Sequence, residues 1–149
     1  MGMTQEDKEL LLKDLCARLP YKVRCRAENG VGGGETDNGV LKFIGNCSGV
    51  ISGTYEDLPY DSGFINNVFY PIESIKPYLR PMSSMTEEEK KEYWAFFTTD
   101  GHGFPTDDVD KHKIDEYLDW LNAHHFDFRG LIPKGLAIAV TEENNPYKK

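Results

Sequence analysis

Four histidines, His102, His112, His124 and His125, fall in the last third of the chain among Asp100, Asp107, Asp108, Asp110 and Asp127. Imidazole nitrogens and carboxylate oxygens are the donors of zinc and iron centres, and a catalytic site needs about three of them plus an open position. His102, His112, His124, His125 and Asp127 are therefore the candidate metal ligands, and a metal-dependent hydrolase is the activity they would carry. Their spacing favours scatter instead. There is no His-Glu-x-x-His, and adjacent His124 and His125 would leave a helix in different directions. Residues 100–110 also lack the oxygen ladder and central glycine of a calcium loop. The expectation is surface histidines, Asp107 or Asp108 starting a helix, one of His124 and His125 packed or hydrogen-bonded, and no metal or other cofactor.

A second chemistry is phosphate contact. Lys22, Arg24 and Arg26 alternate with Tyr21, Val23, Cys25 and Ala27. This pattern puts three cations on one side of a strand, where they could track a nucleic-acid backbone while Tyr21, Phe43 or Tyr55 stack bases. The competing reading is a solvated face whose cations pair across the ladder with Glu56 or Asp57. The glycines of 30–34 could cradle an anion. However, neither a P-loop lysine with Ser/Thr nor a Gly-x-Gly-x-x-Gly is present, so a flexible hairpin connection is expected. Nucleophiles fare no better. Cys16 lies on an apolar helix stripe, Cys25 on an apolar strand face, and the run Asn-Cys-Ser-Gly at 46–49 is not a serine elbow.

Aromatic rings are the remaining resource. Tyr93, Trp94, Phe96, Phe97, Tyr117, Trp120, Phe126 and Phe128 exceed what one pair of helices can easily hide. Most are expected in a core between helices and sheet. Any of Trp94, Phe97, Trp120 and Phe126 left exposed together would mark a protein-partner or homodimer surface.

The elements that must position these residues change character near residues 71–85. Thr4 caps a helix whose stripe is Leu11, Leu12, Leu15, Cys16 and Leu19, and Pro20 ends it. A strand at 21–28 follows, then strand candidates at 41–46, 50–56 and 64–70 separated by turns at Asn38-Gly39, Ser48-Gly49 and 57–63. Such short connections predict an antiparallel meander, open or curled into a small SH3-like barrel. Pro71, Pro77 and Pro81 make 71–85 a stiff connector packed on the domain. Thr86 and Glu89 then form a capping box. Tyr93, Trp94, Phe96 and Phe97 supply the buried side of that helix, and 100–105 ends it in a loop. A further helix carries Ile114, Tyr117, Leu118 and Leu121 on one stripe, and 136–140 is a last short strand. The fold expected is α+β: residues 3–70 a helix plus a small antiparallel domain, 71–85 the connector, 86–140 a helical segment packed on it, and 141–149 a tail.

Composition bounds the function. With 149 residues, 39% hydrophobic and 28% charged, the chain is long enough for a real core and too apolar for disorder. No apolar run approaches the roughly 18 residues of a membrane span, and the first residues do not read as a signal peptide. Three cysteines without a Cys-x-x-Cys pair fit reduced thiols, so a cytoplasmic setting is expected. Residues 1–80 carry a net charge of −2 and residues 81–149 a net −6. Such an acidic chain is a poor binder of double-stranded nucleic acid.

The runs Pro-Ile-Glu-Ser-Ile-Lys-Pro-Tyr-Leu-Arg-Pro-Met-Ser-Ser-Met-Thr-Glu-Glu-Glu at 71–89 and Trp-Leu-Asn-Ala-His-His-Phe-Asp-Phe-Arg-Gly-Leu-Ile at 120–132 resemble a group of uncharacterised proteins from gut bacteria and their phages or mobile elements. The likeness covers mainly residues 70–140 and brings no catalytic residues with it. It implies an accessory protein of a phage or mobile element. Joined to the aromatic content, the expectation is a non-enzymatic protein that acts on an unidentified partner or on a second copy of itself. The alternatives are the hydrolase on the His/Asp set and nucleic-acid binding on Lys22, Arg24 and Arg26.

Overall fold

Thr4 accepts a hydrogen bond from the Asp7 N–H at 3.0 Å and starts helix α1 (Gln5–Arg18). Its first turn carries Glu6 and Asp7, which face the positive end of the helix dipole. Pro20 stops regular helix, and a single 3₁₀ turn over Leu19–Tyr21 leads out. The computed structural model describes residues 3–30, 34–45, 62–66 and 68–147. The strand expected at 50–56 lies outside these, with Cys47, the Ser48-Gly49 turn, Tyr55, Glu56, Asp57 and part of the 30–34 glycine run.

Strands β1 (Arg24–Ala27), β2 (Thr36–Gly45), β3 (Ser62–Ile65), β4 (Val68–Pro71), β5 (Lys76–Leu79) and β8 (Ile138–Ala139) form one sheet in the order β4-β3-β2-β1-β5-β8. All pairings are antiparallel except the parallel β5–β8 pair. The α+β class therefore holds. The barrel does not: among the described residues the sheet is open, with β4 and β8 at its two ends. The expected meander also misplaced one turn and missed another. Asn38-Gly39 sits inside β2, where a Cβ on Gly39 would come within 2.3 Å of Ile65 Cγ2 on the neighbouring strand. The glycine marks close strand approach, not a reversal. The run 64–70 folds back on itself at Asn66, whose φ of 51° suits a tight turn and whose amide donates to Thr36 Oγ1 at 2.9 Å.

Residues 71–85 do more than connect. They contribute β5, and Pro77 pairs with Cys25 in the ladder to β1. The core lies where α1 (Leu11, Leu15) packs on the sheet residues Val23, Cys25, Leu41, Ile65 and Leu79, with Leu131 and Leu136 closing it. Cys16 corrects the expected stripe: it is exposed, while Asp14 and Arg18 are the buried neighbours of Leu11 and Leu15. Their carboxylate and guanidinium meet at 2.8 Å with neither side chain exposed. Arg129 adds a second cation at 2.9 Å, and Arg18 Nη2 donates to the Phe126 carbonyl at 2.6 Å. This network ties α1 to the chain that follows the last helix.

The remaining elements form an outer layer: helix α2 (Glu87–Trp94), a separate hairpin of β6 (Phe97–Thr99) and β7 (Pro105–Val109), and helix α3 (Ile114–Ala123). The capping box is present, with Thr86 Oγ1 accepting the Glu89 N–H and Glu89 Oε1 accepting the Thr86 N–H. The hairpin replaces the helix end and loop expected over 96–105. Among the described residues, no helix is long and apolar enough to cross a membrane.

Candidate interaction surface

The outer layer is built around rings that touch one another. Tyr93 packs on Trp94, Phe97, Tyr117 and Trp120 with centroids 4.9–6.2 Å apart, and Phe96 and Phe97 both reach Tyr117 at 5.7 Å. Trp94 packs on Phe97 at 4.9 Å. Tilted and edge-on pairs of this kind contribute beyond the area they bury. Burial is nevertheless shallow. No residue of α2 is buried, and on α3 only Leu121 and Asn122 are. The expectation that Tyr93, Trp94, Phe96 and Phe97 form a buried helix side is corrected accordingly. Phe96 and Phe97 lie beyond α2, because the helix ends after two turns and the chain reverses into the hairpin.

Of the five large apolar side chains exposed among the described residues, four belong to this layer. They are Trp94 at 43%, Phe104 at 67%, Ile114 at 44% and Leu118 at 38%. The stripe expected on α3 is thus only half hidden: Leu121 is buried, Tyr117 is half-buried, and Ile114 and Leu118, one turn apart, face solvent. Of the four interface candidates, Trp94 is exposed, while Phe97 and Trp120 are half-buried. Phe126 is excluded from any surface. It is fully buried, stacked between the Trp120 ring at 5.5 Å and the Arg80 guanidinium at 4.3 Å. Phe104, Ile114 and Leu118 escaped sequence reasoning. Helical periodicity shows which residues share a face but not whether a second element covers that face.

The metal candidates do not converge. Among the described residues, no group of three His, Cys, Asp or Glu side chains is placed to hold an ion. His102 sits in the β6–β7 turn, where Asp100 Oδ1 accepts the N–H groups of His102 and Phe104 at 2.8 and 3.0 Å. The aspartate closes a turn that Gly103 completes at φ 85°. His112 lies exposed in a 3₁₀ turn capped by Asp110. Asp127 is buried and spends both oxygens on the Leu131 and Ile132 N–H groups, at 2.8 and 2.9 Å. Those bonds make it a local cap for the turn after α3. His124 Nδ1 is 2.9 Å from the Trp120 carbonyl.

His124 and His125 do border one feature of note, an open cleft of about 690 Å³ lined also by Arg80, Ser84, Asn145 and Tyr147. His125 takes a left-handed φ of 62° and stacks on Tyr147 at 3.7 Å and 10°. Burial, then the nearby Arg18, His124 and Arg80, pushes its imidazole down to about 4, so it is neutral at ordinary pH. Tyr147 holds the Tyr78 carbonyl at 2.8 Å and the Arg24 N–H at 2.9 Å, and burial raises its hydroxyl well above the usual tyrosine range. Arg80 makes a bidentate pair with Glu89 at 2.6 and 2.7 Å. The guanidinium pulls the Glu89 carboxyl down to about 2. Arg80 and Tyr147 are thus already joined to the protein's own backbone and side chains, whereas His125 Nδ1 is buried without a hydrogen-bond partner among the described residues.

The basic strand is also dispersed. Lys22 stands in a left-handed turn (φ 56°) before β1 begins, so it does not share a strand face with Arg24 and Arg26. Arg24 is half-buried, and Arg26, exposed, lies 3.9 Å from Asp37. Glu28, Glu35 and Asp37 line the same shallow pocket as Arg26 and Lys76, which cancels the positive potential a phosphate backbone needs.

Charge concentrates on the aromatic layer. Residues 86–119 hold 11 acidic against 4 basic side chains, a net −7 out of −8 for the whole chain. Comparison with protein-family models, with curated proteins and with solved structures finds no match.

Proposed function

We propose that this chain is a non-enzymatic interaction protein, an accessory factor of a phage or mobile element, that engages a protein partner through its outer aromatic layer. The observation that carries the interaction is the exposure of Trp94, Phe104, Ile114 and Leu118 within 25 residues of chain. A fold that buries Leu11, Leu15, Leu79 and Phe126 completely has the means to hide such groups. Leaving them in water forgoes roughly 1.5–3 kcal/mol for each side chain that could have been fully covered. Exposed aromatic and aliphatic side chains drawn from one short stretch of chain are the residue types of an interface centre. The phage or mobile-element setting rests on the resemblance of residues 70–140.

The test is a comparison of tagged wild-type protein with a Trp94→Ala, Phe104→Ala variant in a bacterial host that carries the element. A partner retained by the wild type should form a stoichiometric complex from purified components. The double variant should bind it at least about tenfold more weakly, as expected when central aromatic anchors are removed. Equal affinity of the variant and the wild type for that partner refutes the reading.

A further inference from the structure

The partner's chemistry is legible from what surrounds the rings. Asp107 and Asp108 lie on β7, the strand that pairs Val109 with Phe97. Asp115 and Glu116 sit on α3 between Ile114 and Tyr117. All four carboxylates are exposed, and among the described residues none of them forms an ion pair. Within this layer only Glu87 and Glu89 are neutralised, by Lys90 and Arg80. Lys113 is turned toward the Ala95 carbonyl at 3.0 Å. The segment that carries the apolar side chains is therefore strongly acidic, at a net −7, while the rest of the chain nearly balances at a net −1.

We infer that the occupant of this surface is a protein face with an apolar centre and a lysine- or arginine-rich rim, and that it is not a second copy of this chain. The inference rests on the interaction reading above and names its partner class. Two copies meeting through the same patch would bring two net −7 segments together. At physiological salt the screening length is about 8 Å, so charges across such a contact still repel. A cationic rim instead offers counter-charges to the unpaired carboxylates of a segment that is net −7. It also speeds encounter by electrostatic steering. An anionic lipid surface is disfavoured on the same ground.

Two synthetic 20-residue amphipathic helices serve as probes. They share a Leu/Trp face, flanked in one by Lys and Arg and in the other by Glu. Binding to the full chain is followed by calorimetry at low and moderate salt, and the free chain is sized by sedimentation. The cationic helix should bind, and its affinity should fall about tenfold or more as salt is raised across the range where the screening length shortens. The Glu-flanked helix should bind at least about tenfold more weakly, and the free chain should sediment as a monomer. The Asp107→Asn, Asp108→Asn, Asp115→Asn variant should lose the salt dependence while keeping the wild-type melting temperature.

Equal binding of the two helices, binding insensitive to salt, no binding of the cationic helix, or a stable dimer of the free chain would each overturn the inference. The variants separate it from the reading beneath. A partner lost by Trp94→Ala, Phe104→Ala but kept by the triple Asn variant leaves the surface standing and removes the basic partner. A partner kept by both removes both.

Discussion

The inner core and the outer layer are held by different physics. Around α1 and the six-stranded sheet, side chains such as Leu11, Leu15, Leu79 and Leu131 are wholly buried, and even the charged Asp14 and Arg18 are sealed from solvent. The outer layer has almost no such interior. It leans on Phe126 through Trp120, and on the residue that follows β5, Arg80, which grips Glu89 with two hydrogen bonds while its guanidinium covers the Phe126 ring. Trp120 Nε1 donates to Glu92 at 3.3 Å, joining the two helices of the layer. Hydrophobic burial fixes the first region. Ring contacts and one ionic clamp fix the second, which leaves its far side open to solvent. A region organised in that way has low local stability by construction, and surfaces that accept partners are commonly drawn from such regions.

The comparison predicts that the largest single loss comes from the inner network. Asp14→Ala leaves the buried Arg18 guanidinium without its counter-ion and frees Arg129 from its contact. Breaking one side of a buried pair costs about 3–5 kcal/mol, because the remaining charge stays desolvated. Urea unfolding should show a midpoint shift of that size. A loss below about 1 kcal/mol would mean that water reaches Arg18, and the sharp contrast between the two regions would fail. Replacing both partners by apolar residues should recover part of the loss, though Arg18 also serves the Phe126 carbonyl.

Next in size is Gly39→Ala. The added methyl would meet Ile65 Cγ2 at 2.3 Å and Asn66 Nδ2 at 2.9 Å inside the β2–β3 pairing. Overpacking at a close strand approach costs about 1–3 kcal/mol. The matched control is Gly101→Ala at the hairpin turn, where a Cβ meets nothing within 4 Å. It should change stability by less than about 0.5 kcal/mol, as surface substitutions do. Thermal melts of the two variants place the same chemical change on both sides of the comparison.

These two sites also show what the sequence could and could not reveal. The Thr4 cap, the Thr86 capping box, the α1 boundary at Pro20, the alternation of Val23, Cys25 and Ala27, and the strand at Ile138–Ala139 were legible, because each depends on residues close together in sequence. Gly39 was misread as a turn because its role is set by Ile65, 26 positions away. The Asp14–Arg18 spacing is that of an ordinary solvated helix pair, and only the packing of Phe126 and Arg129 over it makes it interior. At the candidate surface, residue type raised Trp94 as an interface candidate, but helical spacing assigned it to the buried side, and it is 43% exposed. Phe104, Ile114 and Leu118 were not raised, since exposure is decided by whichever element fails to arrive. The proline-rich stretch concealed β5 for a related reason: Pro77 is compatible with a strand only where the ladder does not need its N–H.

A smaller effect is expected at the clamp between the regions, and pH isolates it. Glu89→Gln keeps an oxygen for the cap at Thr86 but removes the charge that faces Arg80. Because Arg80 holds the Glu89 carboxyl at about 2, below its ordinary 4.5, the charged pair contributes fully above pH 4.5. That contribution is lost as pH falls from 4.5 toward 2. Wild type should exceed the Gln variant by about 1 kcal/mol at neutral pH, after allowing for solvent screening, and by nothing near pH 2. Hydrogen exchange should show the change in amides of α2 and α3 before those of β1 and β2. A uniform change across both sets would mean that the outer layer does not open on its own.

Stability effects no larger than that of the clamp belong to the residues with the largest proposed role, and the smaller of the two belongs to Phe104. Phe104 is 67% exposed at the hairpin tip, and Trp94 ends α2 with 43% of its surface in water. Phe104→Ala should shift the unfolding free energy by less than about 0.5 kcal/mol, and Trp94→Ala by about 1 kcal/mol through lost contact with Tyr93 and Phe97. Both changes should leave the amide protection of the sheet untouched. On the proposed reading, a large, apolar, exposed residue that adds so little to the fold serves a contact outside the molecule. If either substitution instead unfolds the outer layer, the rings are structural and the exposed patch is only the outside of a thin core. Measuring melting and partner affinity on the same two variants separates these accounts: the fold-based account requires the affinity losses to track the stability losses, whereas the interface account requires Phe104→Ala to weaken binding with almost no change in melting and Trp94→Ala to weaken it by more than its loss of about 1 kcal/mol explains.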